Sequence, residues 1–482
     1  MKMNKNIKWL AFVALAFVAC NSDDDVVADP NSTDGTALTA GSADFSKYVA
    51  LGDSFAAGFS DNALFMEGQN NAYPNIVASQ FALVGGGNFA TPFMADNIGG
   101  FSLGGTQIPQ FGVRLYLAPG NVPTPVDGVS GTDITAKVTG PFNNFGIPGA
   151  KCTQLDLMGF GSAAGNPYFA GMASSPAATV VDDALAGNPT FFSLWIGGND
   201  VLGYATSGGV STSPITPIAT FETAYNSLIS KLTAGGRKGV IANLPYVNTL
   251  PYFTTVPYNP VALDGATATQ LNSGFTAYNN GLLYAQSLGL LTAAEVAERT
   301  VAFSASATNR VVIVDEYLTD LNAYGIPSYR QATNEDLIIL PARAFIGTAV
   351  GGNPTQINGV SVPLADNWVL SKSEIAEIKV ATDAYNVTIQ TAASANGLGF
   401  VDAKAIMDQL STTGIVANNY TLTSAYVTGA TFSLDGIHPS PRGYAYIANQ
   451  FLKATNTAYG SNFKGVNVGS FRILYPKDSA AF

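Results

Sequence analysis

The sequence predicts an α/β protein built on a mainly parallel sheet, and three observations carry that prediction. Short apolar runs recur without polar alternation, as strands buried on both faces require. Stretches with helical spacing lie between them. Glycines and capping residues mark the changes from one to the other, the rhythm of successive βαβ units.

Taken in order, Tyr48 to Leu51 is the first buried-strand candidate. It runs into Gly52-Asp53-Ser54, after which Phe55-Ala56-Ala57 can begin a helix. A helix-like stretch from Val180 to Leu185 precedes a second strand, Phe191 to Ile196. Phe221 to Leu232 reads as a helix stopped by Gly235-Gly236, and Gly239 to Leu244 as the strand that follows. Ser371 with Glu374 forms a capping box, and Ile375, Ile378, Tyr385 and Ile389 share one helical face until Gly397 ends it. Leu398 to Val401 is the next strand. Two stretches break the rhythm. Residues 85–140 are rich in Gly, Pro and Thr, and residues 251–368 mix short helical patterns with turns and scattered aromatics. With no charged or Pro-rich linker to isolate them, both are expected to be insertions into one domain spanning 47–482.

Composition narrows the chemistry. Only 11% of the 482 residues are charged, 22 basic against 33 acidic, while 47% are hydrophobic, so the chain folds but does not suit a polyanionic partner; nucleic acid is excluded. One His and two Cys cannot build a Cys/His zinc site or a disulfide framework. Asp127-Gly128 with Asp133 lacks the spacing of a calcium loop, so no metal and no cofactor is assigned.

The N-terminus reads as an export signal. Lys2, Lys5 and Lys8 precede an apolar run from Trp9 to Ala19, which is 11 residues long against about 20 for a membrane span. The run closes Phe17-Val18-Ala19-Cys20, which resembles a bacterial lipoprotein signal box, with Cys20 lipidated and left as the new N-terminus. Ordinary secretory cleavage near Ala19 is the alternative. Removing residues 1–19 deepens the net charge from −11 to −14, because three lysines and no acid are lost. Residues 20–46 then read as a flexible tether, with a reach on the order of 30 Å. Its run Asp23-Asp24-Asp25 resembles the surface-export signals of Bacteroidetes lipoproteins, or serves only as a solvated spacer. The expected location is the outer membrane, facing the periplasm or the cell surface.

Chemistry centres on the single histidine. His438 lies in Asp435-Gly436-Ile437-His438-Pro439, where a turn can set the carboxylate against one ring nitrogen and leave the other as a base. A lone His is as readily structural, so a nucleophile is needed. Ser54, on a tight turn after the first strand, supplies one. A rival exists in Gly100-Phe101-Ser102-Leu103-Gly104, which matches the G-x-S-x-G elbow, but no buried strand leads into Ser102 and Gly104-Gly105 is a poor helix start. Cys152 is expected to be a small buried filler.

Together, Gly52-Asp53-Ser54, Asn144-Phe145-Gly146-Ile147-Pro148-Gly149-Ala150, Gly197-Gly198-Asn199-Asp200 and Asp435-Gly436-Ile437-His438-Pro439 resemble the four blocks of the GDSL, or SGNH, hydrolases, in the family's order. The resemblance implies a three-layer α/β/α sandwich with a flavodoxin-like parallel sheet. It implies that Ser54 is the nucleophile and His438 the general base, oriented by Asp435. The N–H groups of Ser54 and Gly149 and the Asn199 side-chain amide would form the oxyanion hole. Phe55 stands where the family's name has Leu, and the intervals from Ser54 to Gly149 and from Asn199 to His438 exceed those of compact members. The implied activity is serine ester hydrolysis, as an esterase or lipase. A carbohydrate O-acetyl esterase, or a surface lipoprotein that binds lipid or glycan without turnover, are the competing readings.

Overall fold

A computed structural model describes residues 37–210 and 213–481. The signal segment 1–19, Cys20 and the acidic part of the tether lie outside the described residues. The chain forms a five-stranded parallel sheet from β1 (Tyr48–Gly52), β2 (Asn144–Gly146), β3 (Phe191–Trp195), β4 (Lys238–Ala242) and β5 (Gly399–Val401). Their spatial order is β2-β1-β3-β4-β5, the flavodoxin-like arrangement, in which the direction of winding reverses between β1 and β3.

The helices follow as α1 (Ser54–Ala57), α2 (Tyr73–Phe81), α3 (Val180–Ala186), α4 (Asn199–Thr206), α5 (Ile218–Thr233), α6 (Gly265–Ser287), α7 (Lys372–Ala395) and α8 (Pro441–Tyr459). α2 and α8 pack together on one side, where Tyr73 stacks on Phe451 at 4.5 Å and α8 lies on β4 and β5. α3, α5 and α7 pack together on the other, where Phe221 stacks on Tyr385 at 3.9 Å. The result is a three-layer α/β/α sandwich. Strands β1 and β3 are buried along their whole length, which is why they stand out in the sequence as unbroken apolar runs. The Ser371–Glu374 capping box is formed, and α7 ends at Asn396 before Gly397.

Two features differ from expectation. Segment 251–368 contains α6, a 23-residue helix, rather than short helical pieces. Its sequence carries Gly, Thr and Asn and buries only Ala268, Leu282 and Ala285, so it shows little apolar periodicity. The end of the stretch read as tether is also not free: Phe45 is buried and stacks on Phe81 at 3.9 Å. Segment 251–368 has its own core, with Val301, Val311, Val312, Ile313 and Ile338 all buried. Beside it the fully buried Arg330 binds Asp315 and Asp336, each at 2.6 Å. In the other insertion Arg114 is fully buried, donating to the carbonyls of Asn97 and Pro476 at 2.8 Å. Among the described residues no helix is long and apolar enough to cross a membrane.

Candidate active site

The register of the sheet sets three of the sequence blocks side by side. Gly52 pairs with Gly146 on one flank and Trp195 on the other, so β1, β2 and β3 end at the same level, at the point where the winding reverses. Open α/β sheets place ligand sites there, beyond the carboxyl ends of the strands. Ser54 follows β1, Gly149 follows β2, and Asn199 opens α4 after β3. Close packing at this edge admits no side chain at residue 146: a Cβ there would lie 2.2 Å from the Ala57 nitrogen. The Asn144 side chain completes the junction by donating to the Ala56 carbonyl at 2.9 Å and accepting from Gly146 N–H at 2.9 Å.

The fourth block arrives from the far end of the chain. His438 Nε2 lies 2.8 Å from Ser54 Oγ, and His438 Nδ1 lies 3.0 Å from Asp435 Oδ2. Because a carboxylate can only accept, this arrangement assigns the ring proton to Nδ1 and leaves the Nε2 lone pair facing the serine hydroxyl. Asp435 Oδ1 also accepts the backbone N–H groups of Ile437 and His438 at 2.8 Å, and Oδ2 accepts that of Asn62 at 3.0 Å. Burial pushes this carboxyl up, but the imidazole and these donors outweigh it and hold Asp435 below the usual carboxylate range. Phe55 and Phe59 pack on the imidazole at 5.4 and 4.6 Å and fix its plane.

The loop is braced from both insertions' sides. Tyr252, at the start of segment 251–368, donates its N–H to the Gly436 carbonyl at 2.9 Å, and Gly436 has φ +73, where a Cβ would meet the Tyr252 nitrogen at 2.9 Å. Asp61, whose N–H reaches Ser433 Oγ and whose Oδ1 accepts from Leu434, holds the other side. Leu115, two strands into segment 85–140, donates to the Asp61 carbonyl at 2.8 Å.

Gly149 and Asn199 lie on the turns that follow β2 and β3, beside Ser54 on the turn after β1. Ile147 N–H donates to the Gly52 carbonyl at 3.0 Å, and Asn199 Nδ2 donates to the Ala150 carbonyl at 3.0 Å, so the Gly149 turn is tied to both neighbours. Gly149 has φ +80, a left-handed conformation that glycine adopts without strain. Among the described residues neither Ser54 N–H nor Gly149 N–H finds an acceptor, and one hydrogen of the Asn199 amide stays free. Such unspent donors beside a nucleophile can stabilise an anionic oxygen.

Residues at the site that the sequence left without a role are Asp53, Asp61, Asn62 and Phe59. Asp53 caps α1 by accepting from Phe55 N–H at 3.0 Å, and burial raises its carboxyl to about 7. Burial likewise raises Asp61 to about 7, and its Oδ2 has no partner. Asp61 and Asn62 both have positive φ, a conformation that Asp and Asn adopt more readily than most residues. Asp200 is fully buried and accepts Cys152 N–H at 2.8 Å, while burial pushes the Cys152 thiol far up, leaving it an inert filler. Ser102 is remote in character from Ser54. It sits buried in a two-residue strand paired with Thr106–Gln107, its hydroxyl turned to the Thr132 carbonyl, and the chain's one imidazole is bonded to Ser54 instead.

A small apolar cavity is lined by Phe55, Trp195, Leu250, Met407 and Pro439 among others, and by none of Ser54, Gly149, Asn199 and His438. Larger clefts lie against the insertions. One of about 760 Å³ runs between the hairpin tip at Gly120-Asn121, Thr254 and the Ser424–Thr428 loop, and one of about 1050 Å³ lies within segment 251–368.

The chain matches no protein-family model and no curated protein sequence. Among solved structures it is similar to the acetylxylan esterase Axe2 of Geobacillus stearothermophilus, at 12% identity over 86% of this chain and 95% of that one, with a TM-score of 0.35. It is also similar to LAE5, an alpha/beta hydrolase enzyme from the metagenome of Lake Arreo, at 12% identity over 86% and 96%, TM-score 0.34. An extracellular lipase of Streptomyces rimosus aligns at 12% identity over 85% and 98%, TM-score 0.29.

Proposed function

We propose that the protein is a serine ester hydrolase that cleaves carboxylic esters through an acyl-enzyme on Ser54. The observation that carries the proposal is the hydrogen-bonded chain from Ser54 Oγ through both nitrogens of His438 to Asp435, which joins residues 384 positions apart. In the reaction, His438 Nε2 takes the hydroxyl proton as Ser54 Oγ attacks the ester carbonyl, and the charged Asp435 stabilises the imidazolium. The Ser54 and Gly149 N–H groups and the Asn199 amide bind the tetrahedral oxyanion. His438 then returns the proton to the leaving alcohol, and the same steps with water release the acid.

A carbohydrate O-acetyl esterase is the rival to an esterase or lipase acting on longer acyl chains, and activity measured against acyl chain length separates the two. Export and anchoring through lipidated Cys20, at the outer membrane, complete the reading.

The deciding experiment is fluorophosphonate labelling of the purified protein, with peptide mapping of the adduct and p-nitrophenyl ester turnover measured beside it. Adduct on Ser54, and a loss of kcat of about 10⁶-fold in Ser54→Ala, are the expected results. Adduct on Ser102, or full turnover by Ser54→Ala, sinks the proposal. Ligand binding without turnover across acetyl to octanoyl esters would replace it with a binding protein.

A further inference from the structure

We infer that Glu316, Asp366 and Glu374 form a binding site for a hard divalent cation of the calcium class, at the seam where segment 251–368 meets the catalytic core. One carboxylate oxygen from each lies within 4.8 Å of the others. Two of the residues belong to the inserted segment, and Glu374 lies in the first turn of α7, a helix of the sandwich. This site is independent of the reaction proposed for Ser54.

A cluster of acids alone would mean little, and the second observation is the state of Glu374. Its residue is 1% exposed. Oε2 accepts the Ser371 N–H at 2.6 Å in the capping box, but Oε1 is buried with no hydrogen-bond partner. The chain also makes room for that atom. A Cβ on Gly209, which has φ +77 and follows α4, would lie 1.8 Å from Oε1, and one on Gly208 would lie 2.2 Å from the Asp366 carbonyl oxygen.

The neighbouring acids have partners within the protein, whereas Glu374 Oε1 is buried without one. Asp315 and Asp336 share Arg330, Glu298 binds Lys372 at 2.6 Å, Glu295 binds Arg299 at 3.4 Å, and Asp383 binds Lys379 at 2.9 Å. Glu377 accepts the hydroxyls of Tyr204 and Tyr317. Among the described residues no Lys or Arg pairs with Glu316, Asp366 or Glu374. Burial raises Asp366 to about 6, with the charges of Glu316 and Asp315 adding to the rise, and raises Glu374 to about 7, with Asp366 and Glu316 adding to it. An unbalanced, partly dehydrated group of this kind calls for a cation or a shared proton.

The donors select the ion. All are carboxylates, with no imidazole or thiolate in the cluster, which suits a hard cation and not zinc. Oxygens up to 4.8 Å apart can be spanned by Ca²⁺, whose bonds are about 2.3–2.6 Å, more readily than by Mg²⁺ at about 2.0–2.1 Å. Exposed Glu316 leaves a side open to water ligands. The ion would pin the inserted segment to α7 and to the turn that ends α4, the helix that begins at Asn199.

The test uses the intact protein stripped with EDTA. Terbium luminescence, sensitised by Trp368 and Tyr317, should appear on titration and be displaced by Ca²⁺. Calcium at about 100-fold excess over its Kd should raise Tm by about 5 °C, and Mg²⁺ by less than half of that. Asp366→Asn and Glu316→Gln should both abolish the calcium increment; the latter changes an exposed side chain and should fold whatever becomes of the site. Absence of both terbium signal and Tm response overturns the inference. So does a calcium response that survives in both variants, since it would place the ion elsewhere.

Discussion

Asp435 and Glu374 are both buried carboxylates, and they behave in opposite ways. Asp435, at the carboxyl edge of the sheet, receives three backbone N–H groups and the imidazole, and is held below the usual range. Glu374, at the seam of the insertion, has one oxygen capped and one bare, and is pushed up to about 7. Burial is common to the two, so the neighbouring charges and donors decide which form each carboxyl keeps: His438 and the loop's N–H groups lower Asp435, while Asp366 and Glu316 add to the rise of Glu374. In the proposed reaction the charge on Asp435 must persist, and it is surrounded by donors from its own loop and from Asn62. A charge left without them invites an external partner.

The comparison breaks most visibly if the donors around Asp435 do not matter. Asp435→Asn keeps the size of the side chain but removes the acceptor that holds Nδ1–H, so kcat should fall about 10⁴-fold while Tm moves little. Steady-state ester hydrolysis with a parallel melting curve measures both; a loss under tenfold would mean that the loop, and not the charge, orients His438. Asn199→Ala comes next in size. It removes one of the three donors proposed for the oxyanion, so kcat should drop about 10²–10³-fold with KM little changed. A rise in KM at constant kcat would instead make Asn199 a ground-state contact.

How far these regions were legible in the sequence differs for a physical reason. β1 and β3 announced themselves because both faces are buried, and His438 because the chain has no second imidazole. Strand β2 did not, although its residues were singled out as a block: it is three residues long, and buried Asn144 interrupts any apolar run by spending its amide on the Ala56 carbonyl. The Ser54, His438 and Asp435 constellation could be anticipated since each residue lies in a recognisable local turn. The support from Asn62 and Asp61 could not, because the contact spans more than 370 positions with no pattern connecting its ends. The Glu316, Asp366 and Glu374 cluster was invisible for the same cause. Three separate elements bring its oxygens together, and no spacing between 316, 366 and 374 resembles a metal-binding loop.

The smallest expected effect concerns pH. Asp53, Asp61 and Glu374 at about 7 and Asp366 at about 6 all lie above their ordinary values because of burial, so the folded chain binds these protons more tightly than the unfolded one. Their contribution to stability is therefore full below about pH 4 and is lost as pH rises through 6 to 7. Asp435 has the opposite sign, but its window lies below about pH 4, where it adds no slope near neutrality. In EDTA, Tm should accordingly decline between pH 5 and pH 8. Asp61→Asn retains an acceptor for Leu434 N–H and removes one of the four titrating groups, so its decline should be shallower, by a few degrees at pH 8. Calcium should flatten the slope separately, by holding Asp366 and Glu374 ionised. If the variant and the parent decline in parallel, the bare oxygen of Asp61 is hydrated in solution and the contrast with Asp435 narrows to the seam alone.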